Sequence, residues 1–492
     1  MSLNIALDSA LSGLIAAQRQ TSLVSRNIAN ANTPGYVRKD AELESAVLAG
    51  EGRGVAVSGV ARRVDTMLQR DSRRESGIAA ELQAKAESLL GFTNLIGQPD
   101  EERGLANLVT GLSNAFQRLN DSPENTVVQR TVVSAAQSLA RGLNTMSSEI
   151  ARQRQSADGA IADSVATIND ALNSLATLNS QISKGGFGNQ DVTDLMDKRD
   201  ILLDSLSEEL GITYMNRGDG ELIVLTSGGT TLLEGATVHP LSFTRSPQIP
   251  AGLSYTPGGP GLSGITVDGV DIAPGSGYAG EIRSGRLAGL FELRDTLYPQ
   301  AQAQIDEIAS NLADAFQRHD ATVAAGTPGL FTDSGAAHDR GDPTQVLGLA
   351  GRIAVSGAVI PELGGQLWRV RDGVQAAAPG TPGDTTQVRE FLAAFEETLS
   401  FDSNAGLANS GTLRGYAVDF VAFQGNQRAA TQERAGYQAS VTEAINTQRQ
   451  NVEGVNIDDE LQKMLMYEQS YAAAAQVIQA VKNMMDTLME IG

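Results

Sequence analysis

Two stretches at opposite ends of a 492-residue chain constrain its fold more than anything between them. From Leu3, apolar positions recur at Leu7, Ala10, Leu14, Ala17, Val24 and Ile28, with Thr21 as the one polar member, in alternating steps of four and three. At the other end Met464, Tyr467, Tyr471, Ala474, Ile478, Val481, Met485 and Leu488 keep the same alternation. That spacing is the heptad of a helix with one apolar seam. A bare seam at each terminus predicts that the two ends pair as a coiled coil and that the rest of the chain is inserted between them. The seam through Val24 and Ile28 is then expected to face Ile478 and Val481. The same periodicity also suits two ordinary amphipathic helices, each docked separately on the body of the chain.

The first helix has a defined stop. Within the turn carried by Asn30, Asn32, Thr33, Pro34, Gly35 and Tyr36, Pro34 pushes Thr33 out of helical conformations and has no N–H to donate. Gly35 suits a turn position that needs a positive φ, and Tyr36 is placed to anchor the turn by packing. Residues 1–36 hold only Asp8, Arg19 and Arg26 as charged side chains. The outer face of the helix is Ser, Asn, Gln and Ala, which suits contact with copies of the same chain, where unpaired charges are costly to desolvate.

Between the ends the chain is mainly α with a β-rich insertion. Residues 70–211 read as helix after helix. One stripe runs through Leu105, Leu108, Leu112, Phe116 and Leu119, and another through Ile161, Val165, Ile168, Leu172, Leu175 and Ile182. The segment Asp194–Gly211 is a further amphipathic helix with Gly211 as its cap. Gly220–Gly235 predicts two strands around a Gly-Gly turn, and Ile265–Ile272 is strand-like within a Gly- and Pro-rich stretch. Helical periodicity returns from Gly280 to about Val323, residues 326–385 are mixed and turn-rich, and residues 415–454 predict one very long helix. Aromatic residues make up 4% of the chain, which favours Leu/Ala/Ile seams over aromatic cores.

Bulk charge and composition narrow the function. The net charge is −21 and no Lys/Arg-rich block stands out, which excludes nucleic acid as a partner, because phosphate neutralisation needs clustered cations. Absence of cysteine removes disulfides, thiolate zinc sites and cysteine nucleophiles. No run of 18 apolar residues predicts a membrane span and no signal peptide is recognisable, so these rules alone predict a cytosolic protein.

No motif in the chain carries recognisable chemistry. His239, His319 and His338 belong to no metal-spaced pair and read as scattered surface or loop histidines. Gly275–Gly280 matches GxGxxG, but the segment after it is helical, so Glu292 and Asp295 do not end a second strand as a dinucleotide site requires. Asp402–Ser410 lacks the alternating acidic ligands of a calcium loop. The acidic runs from Asp100 and from Asp458 read as solvated helix starts. No cofactor, metal or general acid–base pair is expected.

The segment Ala10–Arg38, with Asn27, Ile28, Ala29, Asn30, Asn32, Thr33, Pro34, Gly35 and Tyr36 in place, resembles the N-terminal signature of the bacterial flagellar rod, hook and hook-associated proteins. Gly54–Ser76 resembles the second block of that family. Asp194, Leu195, Asp197, Arg199, Asp200, Leu202 and Leu203 resemble a helical segment of its hook–filament junction branch. Gly454, Val455, Asn456, Tyr467, Gln469, Tyr471 and Leu488 resemble its C-terminal signature.

The resemblance implies a structural adaptor joining hook to filament, exported unfolded through the flagellar type III apparatus, which reverses the cytosolic expectation. Implied partners are the hook protein, the second hook–filament junction protein, copies of the chain itself in one layer, and an export chaperone at the C-terminal helix. The implied division is a terminal coiled-coil assembly domain (1–35 with 455–492), a helical bundle (36–211 with 281–454) and a small outer β-rich domain (212–280). The assembly interface falls on Leu3, Leu7, Leu14, Val24, Ile28, Met464, Tyr467, Tyr471, Ile478, Val481, Met485 and Leu488. The alternatives are a hook or distal rod protein, or a surface hydrolase carried in the β-rich insertion. The long helical region 72–211 argues against the rod and hook proteins.

Overall fold

The computed structural model describes residues 2–48, 51–96, 104–188, 190–217 and 220–491. The acidic run 100–103 lies outside them. In chain order the elements begin with α1 (Ser2–Ala29), the strands β1 (Lys39–Leu48) and β2 (Glu51–Arg62), and the helices α2 (Thr66–Ile96), α3 (Leu105–Asp121), α4 (Thr126–Phe187) and α5 (Thr193–Glu209). Next come the short strands β3 (Ile212–Asn216), β4 (Leu222–Thr226), β5 (Thr231–Glu234), β6 (Thr237–Val238), β7 (Leu241–Ser242), β8 (Thr266–Val267) and β9 (Val270–Asp271). After them are α6 (Arg286–Glu292), a π-helical turn (Leu293–Leu297), α7 (Tyr298–Arg318), β10 (Phe331–Asp333), the single helical turns α8 (Pro343–Val346) and α9 (Leu349–Arg352), and β11 (Ile353–Val355). The chain closes with α10 (Arg369–Asp372), α11 (Thr386–Glu396), β12 (Leu399–Ser400), β13 (Ser410–Gly411), α12 (Leu413–Glu453) and α13 (Ile457–Ile491). The molecule is mostly helical with small antiparallel sheets.

Two compact units divide the chain: residues 1–79, 167–240 and 438–492 form the first, and 80–166 with 241–437 the second. In the first unit α1 packs against α13 and against the β1–β2 hairpin. That hairpin, which no sequence signal singled out, is antiparallel with register shifts at Glu42/Leu43 and Ser45/Val47. The strands β3 to β6 form a meander. Inward Leu222, Val224 and Thr226 alternate along β4, as a half-buried strand requires. Asn179 of α4, itself fully buried, donates to the carbonyls of Leu222 and Gly235 at 3.0 and 2.8 Å. The expected glycine cap of α5 is absent. Leu210 closes the helix in extended conformation at φ −148°, because the chain passes straight into β3, and a left-handed residue would turn it away.

The second unit has a core that composition argued against. Five phenylalanines of the twelve in the chain gather in one cluster. Phe116 of α3, Phe316 of α7, Phe331 of β10 and Phe391 and Phe395 of α11 have ring centroids 5.3–6.2 Å apart. Few aromatics do not preclude an aromatic core when they are concentrated, since each buries a large area. The strands β7, β8 and β9 form a separate sheet. Its β8–β9 turn has Asp268 and Gly269 both at positive φ, +50° and +80°, the Asp-Gly signature of a two-residue hairpin. His338 lies on a loop, as expected, but is buried rather than at the surface, 2.8 Å from Ser310 Oγ. Burial pulls its pKa below the usual histidine value.

Candidate functional site

The part of the first unit where both chain ends meet is built on the turn after α1. Asn30 donates through Nδ2 to the Arg26 carbonyl at 2.9 Å and closes the helix. The N–H of Tyr36 donates to the carbonyl of Thr33 at 3.2 Å, and Gly35 sits at φ +75°. This is the type II turn that Pro-Gly encodes. A Cβ on Gly35 would also lie 2.4 Å from Cγ1 of Ile201, so the site is closed to side chains twice over. Asn32, Thr33 and Pro34 are exposed.

Asn27 is the hub of this turn. Its Oδ1 accepts from the Tyr36 hydroxyl at 2.9 Å and from the Lys39 N–H at 3.2 Å. Its Nδ2 donates to the Lys39 carbonyl and to Glu460 Oε2, both at 2.9 Å. The amide thereby uses both donors and both acceptor sites. Burial raises the Tyr36 hydroxyl pKa to about 12, so it stays a donor.

From Lys39 a ladder of charges runs along one face of α5. The Lys39 ammonium is fully buried, 4.5 Å from the Tyr36 ring centroid, with Asp194 and Asp197 as ion-pair partners. Arg62 of β2 bridges Asp197, at 2.8 Å, and Asp200. Arg73 of α2 bridges Asp200 at 3.2 Å and Asp204 at 2.6 Å. Arg449 of α12 bridges Asp204 at 2.9 Å and Glu453 at 2.8 Å. Successive acids on α5 are three or four residues apart, which stacks them on one helix face. Burial works against the Asp200 carboxylate, but Arg62 and Arg73 hold its pKa below the usual range. Burial likewise opposes the charged forms of Arg73 and Arg449, and their acidic partners more than offset it.

The C-terminal block joins the same network. The Glu453 carbonyl accepts from the Arg38 N–H at 2.8 Å. Asn456 caps α13 by accepting from the Asp458 N–H at 3.0 Å. Glu460, expected to be solvated, is fully buried between Asn27 and Lys463. Arg199 departs from the ladder and donates to the Gly220 carbonyl at 2.9 Å.

α1 and α13 run antiparallel. Asn27 meets Glu460, and farther along Gln18, Thr21, Ser22 and Ser25 line a cleft with Glu468 and Tyr471. Ile478 is therefore about 27 Å of helix beyond Glu460 and out of reach of Val24, so the expected pairing of those residues is wrong in register. Of the seam residues, Val24 and Val481 are buried; Leu3, Leu7, Leu14, Ile28, Met464, Tyr467, Ile478 and Met485 are half-buried; Tyr471 and Leu488 are exposed. Among the described residues no group of three or more acidic or histidine side chains is arranged to hold a metal, and no helix is long and apolar enough to cross a membrane.

Sequence models of known families match three stretches. The flagellar hook-associated protein FlgK helical domain covers residues 92–329. The flagella basal body rod protein model covers 7–36, and the flagellar basal body rod FlgEFG protein C-terminal model covers 445–491. Flagellar hook-associated protein 1 of Salmonella typhimurium is 26% identical over 563 aligned positions, with 99% of each chain covered. The proteins of the same name from Escherichia coli and Bacillus subtilis are 25% and 23% identical, with at least 97% of each chain covered. Over 98–99% of its length the chain is similar to flagellar hook-associated protein 1 of these bacteria.

The two terminal matches carry residues of the hub and of the ladder beside it, Asn27 and Tyr36 in one and Arg449, Glu453 and Glu460 in the other. A solved structure of the flagellar hook junction protein FlgK from Burkholderia pseudomallei aligns with TM-score 0.44 and 25% identity, over 54% of this chain and 46% of that one. The aligned length of 563 against 492 residues also means that the Salmonella relative carries segments with no counterpart here.

Proposed function

We propose that this chain is a structural adaptor in the layer joining flagellar hook to filament, exported through the type III apparatus and assembled outside the cell. Its neighbours in that reading are the hook protein, the second junction protein and copies of itself, and a cytoplasmic chaperone holds α13 before export. Residues 1–35 with 455–492 act as the coiled-coil assembly domain, 36–211 with 281–454 as the helical body, and 212–280 as the outer β-rich part. The interface residues are the two terminal seams.

One observation within the chain carries the reading. α13 has a second apolar seam, through Met466, Ala473, Val477, Ala480 and Met484, all exposed, beside the one turned to α1. Leu11 and Ile15 are exposed on α1 as well. A terminal helix with two apolar seams, one of them bare in the single chain, supports burial between copies. Electron microscopy of a strain lacking the gene tests it. Hooks without filaments, with flagellin released to the medium and rescue by this chain, are expected; filaments of normal number would refute the role.

A further inference from the structure

We infer that the cleft between Thr244–Pro247 and Tyr255–Gly264 in the second unit is a binding site for a carboxylated sugar, of the hexuronate class. The cleft holds about 410 Å³, room for one such sugar with water. Its lining is rich in hydroxyls: Thr244, Ser246, Thr256 and Ser263. At one wall the exposed Arg245 guanidinium lies against Gly159 of α4, 3.2 Å from where a Cβ would sit. It makes no ion pair among the described residues, in a chain with 58 acidic and 37 basic side chains. At the other wall Asp271 is oriented by the Tyr255 hydroxyl, which donates to Oδ2 at 2.8 Å, and by the Ala273 N–H, which donates to Oδ1 at 3.0 Å.

The walls are preformed. Arg294 and Asp158 are a fully buried ion pair at 2.7 Å. Asp158 accepts from the Ser246 N–H at 2.8 Å, and Arg294 donates to the Ser263 carbonyl at 3.0 Å. One buried pair thus fixes both sides of the cleft. Such a pair adds little net stability after desolvation, but it sets geometry. Gly261 and Gly264 let the backbone approach where a Cβ would stand 2.3 Å from the Ser254 carbonyl oxygen and 2.5 Å from Asp271. A rigid site avoids the ordering cost of binding.

The charges choose the ligand. A neutral sugar leaves Arg245 without a carboxylate, and a simple anion leaves Thr256 and the remaining lone pairs of Asp271 unengaged, Ser246 and Ser263 already donating to the Gln248 and Gly264 carbonyls. A hexuronate places its carboxylate on the planar guanidinium fork and its ring hydroxyls on Asp271 and the Ser/Thr lining. The site is independent of the junction role. Ligand-observed NMR and calorimetry on the full chain with D-glucuronate, D-glucose, acetate and L-alanine test it. Glucuronate should bind with a Kd of about 1–10 mM. Arg245→Gln should weaken it by about tenfold or more, with unchanged thermal melting. Thr256→Trp, which fills the cleft without touching either charge, should abolish it. No glucuronate binding, equal binding of glucose, acetate or alanine, or indifference to both variants overturns the assignment.

Discussion

Asn27 and Glu460, 433 residues apart in the chain, share a buried hydrogen bond of 2.9 Å. Every other polar group of Asn27 is also engaged, on Tyr36 and Lys39. Asn27→Ala strands the Tyr36 hydroxyl, the Lys39 backbone and half of a buried carboxylate. Unsatisfied buried groups cost about 1–3 kcal/mol each, and a loss of roughly 3 kcal/mol is expected for the first unit. Denaturant unfolding combined with hydrogen exchange at residues 20–40 and 455–470 checks it. A variant as stable as wild type would show that the amide is not the hub.

Gly35 separates two causes of strain. Its φ of +75° penalises any side chain, and Ile201 blocks the space a Cβ needs. Gly35→Ala should destabilise by about 1–2 kcal/mol from backbone conformation and more from the clash. In the Gly35→Ala/Ile201→Ala pair the clash is gone and the conformational part remains. Stability of the double variant, corrected for Ile201→Ala alone, should therefore recover in part. Full recovery or none would each contradict the two-cause account.

Two buried carboxylates respond to pH with opposite sign. Asp200 is buried, yet Arg62 and Arg73 hold its pKa below the ordinary value. Its contribution to the first unit is complete above about pH 4 and is lost as pH falls further. Asp306, in the second unit, is raised to about 6 by burial, despite N–H donors from Ala350 and Gly348 and the Gln302 amide. The folded state binds its proton more tightly, so stability falls by about 3 kcal/mol as pH rises from about 4 through 6. His338, held low by burial, acts in the other direction over part of that range. The measurement is thus a difference: hydrogen exchange in α7 of wild type and Asp306→Asn at several pH values. The variant should lack the decline between pH 4 and 6; parallel profiles would remove Asp306 as its source.

Periodicity made the long helices, the Pro-Gly turn and the β4–β5 hairpin legible, because each is a local pattern of apolar spacing or turn chemistry. The ladder was half legible. Acids at 194, 197, 200 and 204 mark one helix face, but nothing local says that Lys39, Arg62, Arg73 and Arg449 come to meet them. The same limit hid Asn27, whose partners lie on three separate segments, and Glu460, whose acidic neighbours Asp458 and Asp459 are exposed. Heptads located the terminal seams but carried no register, and the antiparallel match of Asn27 with Glu460 overrode the pairing of Val24 with Ile478.

That register separates folding from assembly on one helix. Val481 is 3% exposed and Met484, less than a turn away, is 50% exposed. Val481→Asp puts an unpaired charge into an apolar contact, which costs several kcal/mol even after relaxation. The purified chain should lose protection against proteolysis and exchange at both termini while the second unit melts unchanged. Met484→Asp places its charge in water in the isolated chain, so melting and exchange should match wild type within about 0.5 kcal/mol. If the outer seam is buried between copies, every subunit of the layer then carries the desolvation cost, and filament counts should collapse although the protein is folded. Protein released to the medium has to be measured for both variants, because a chaperone reading the same helix would lower export before assembly begins. Met484→Asp with normal export and normal filament numbers would show that the exposed seam of α13 is not an intersubunit contact.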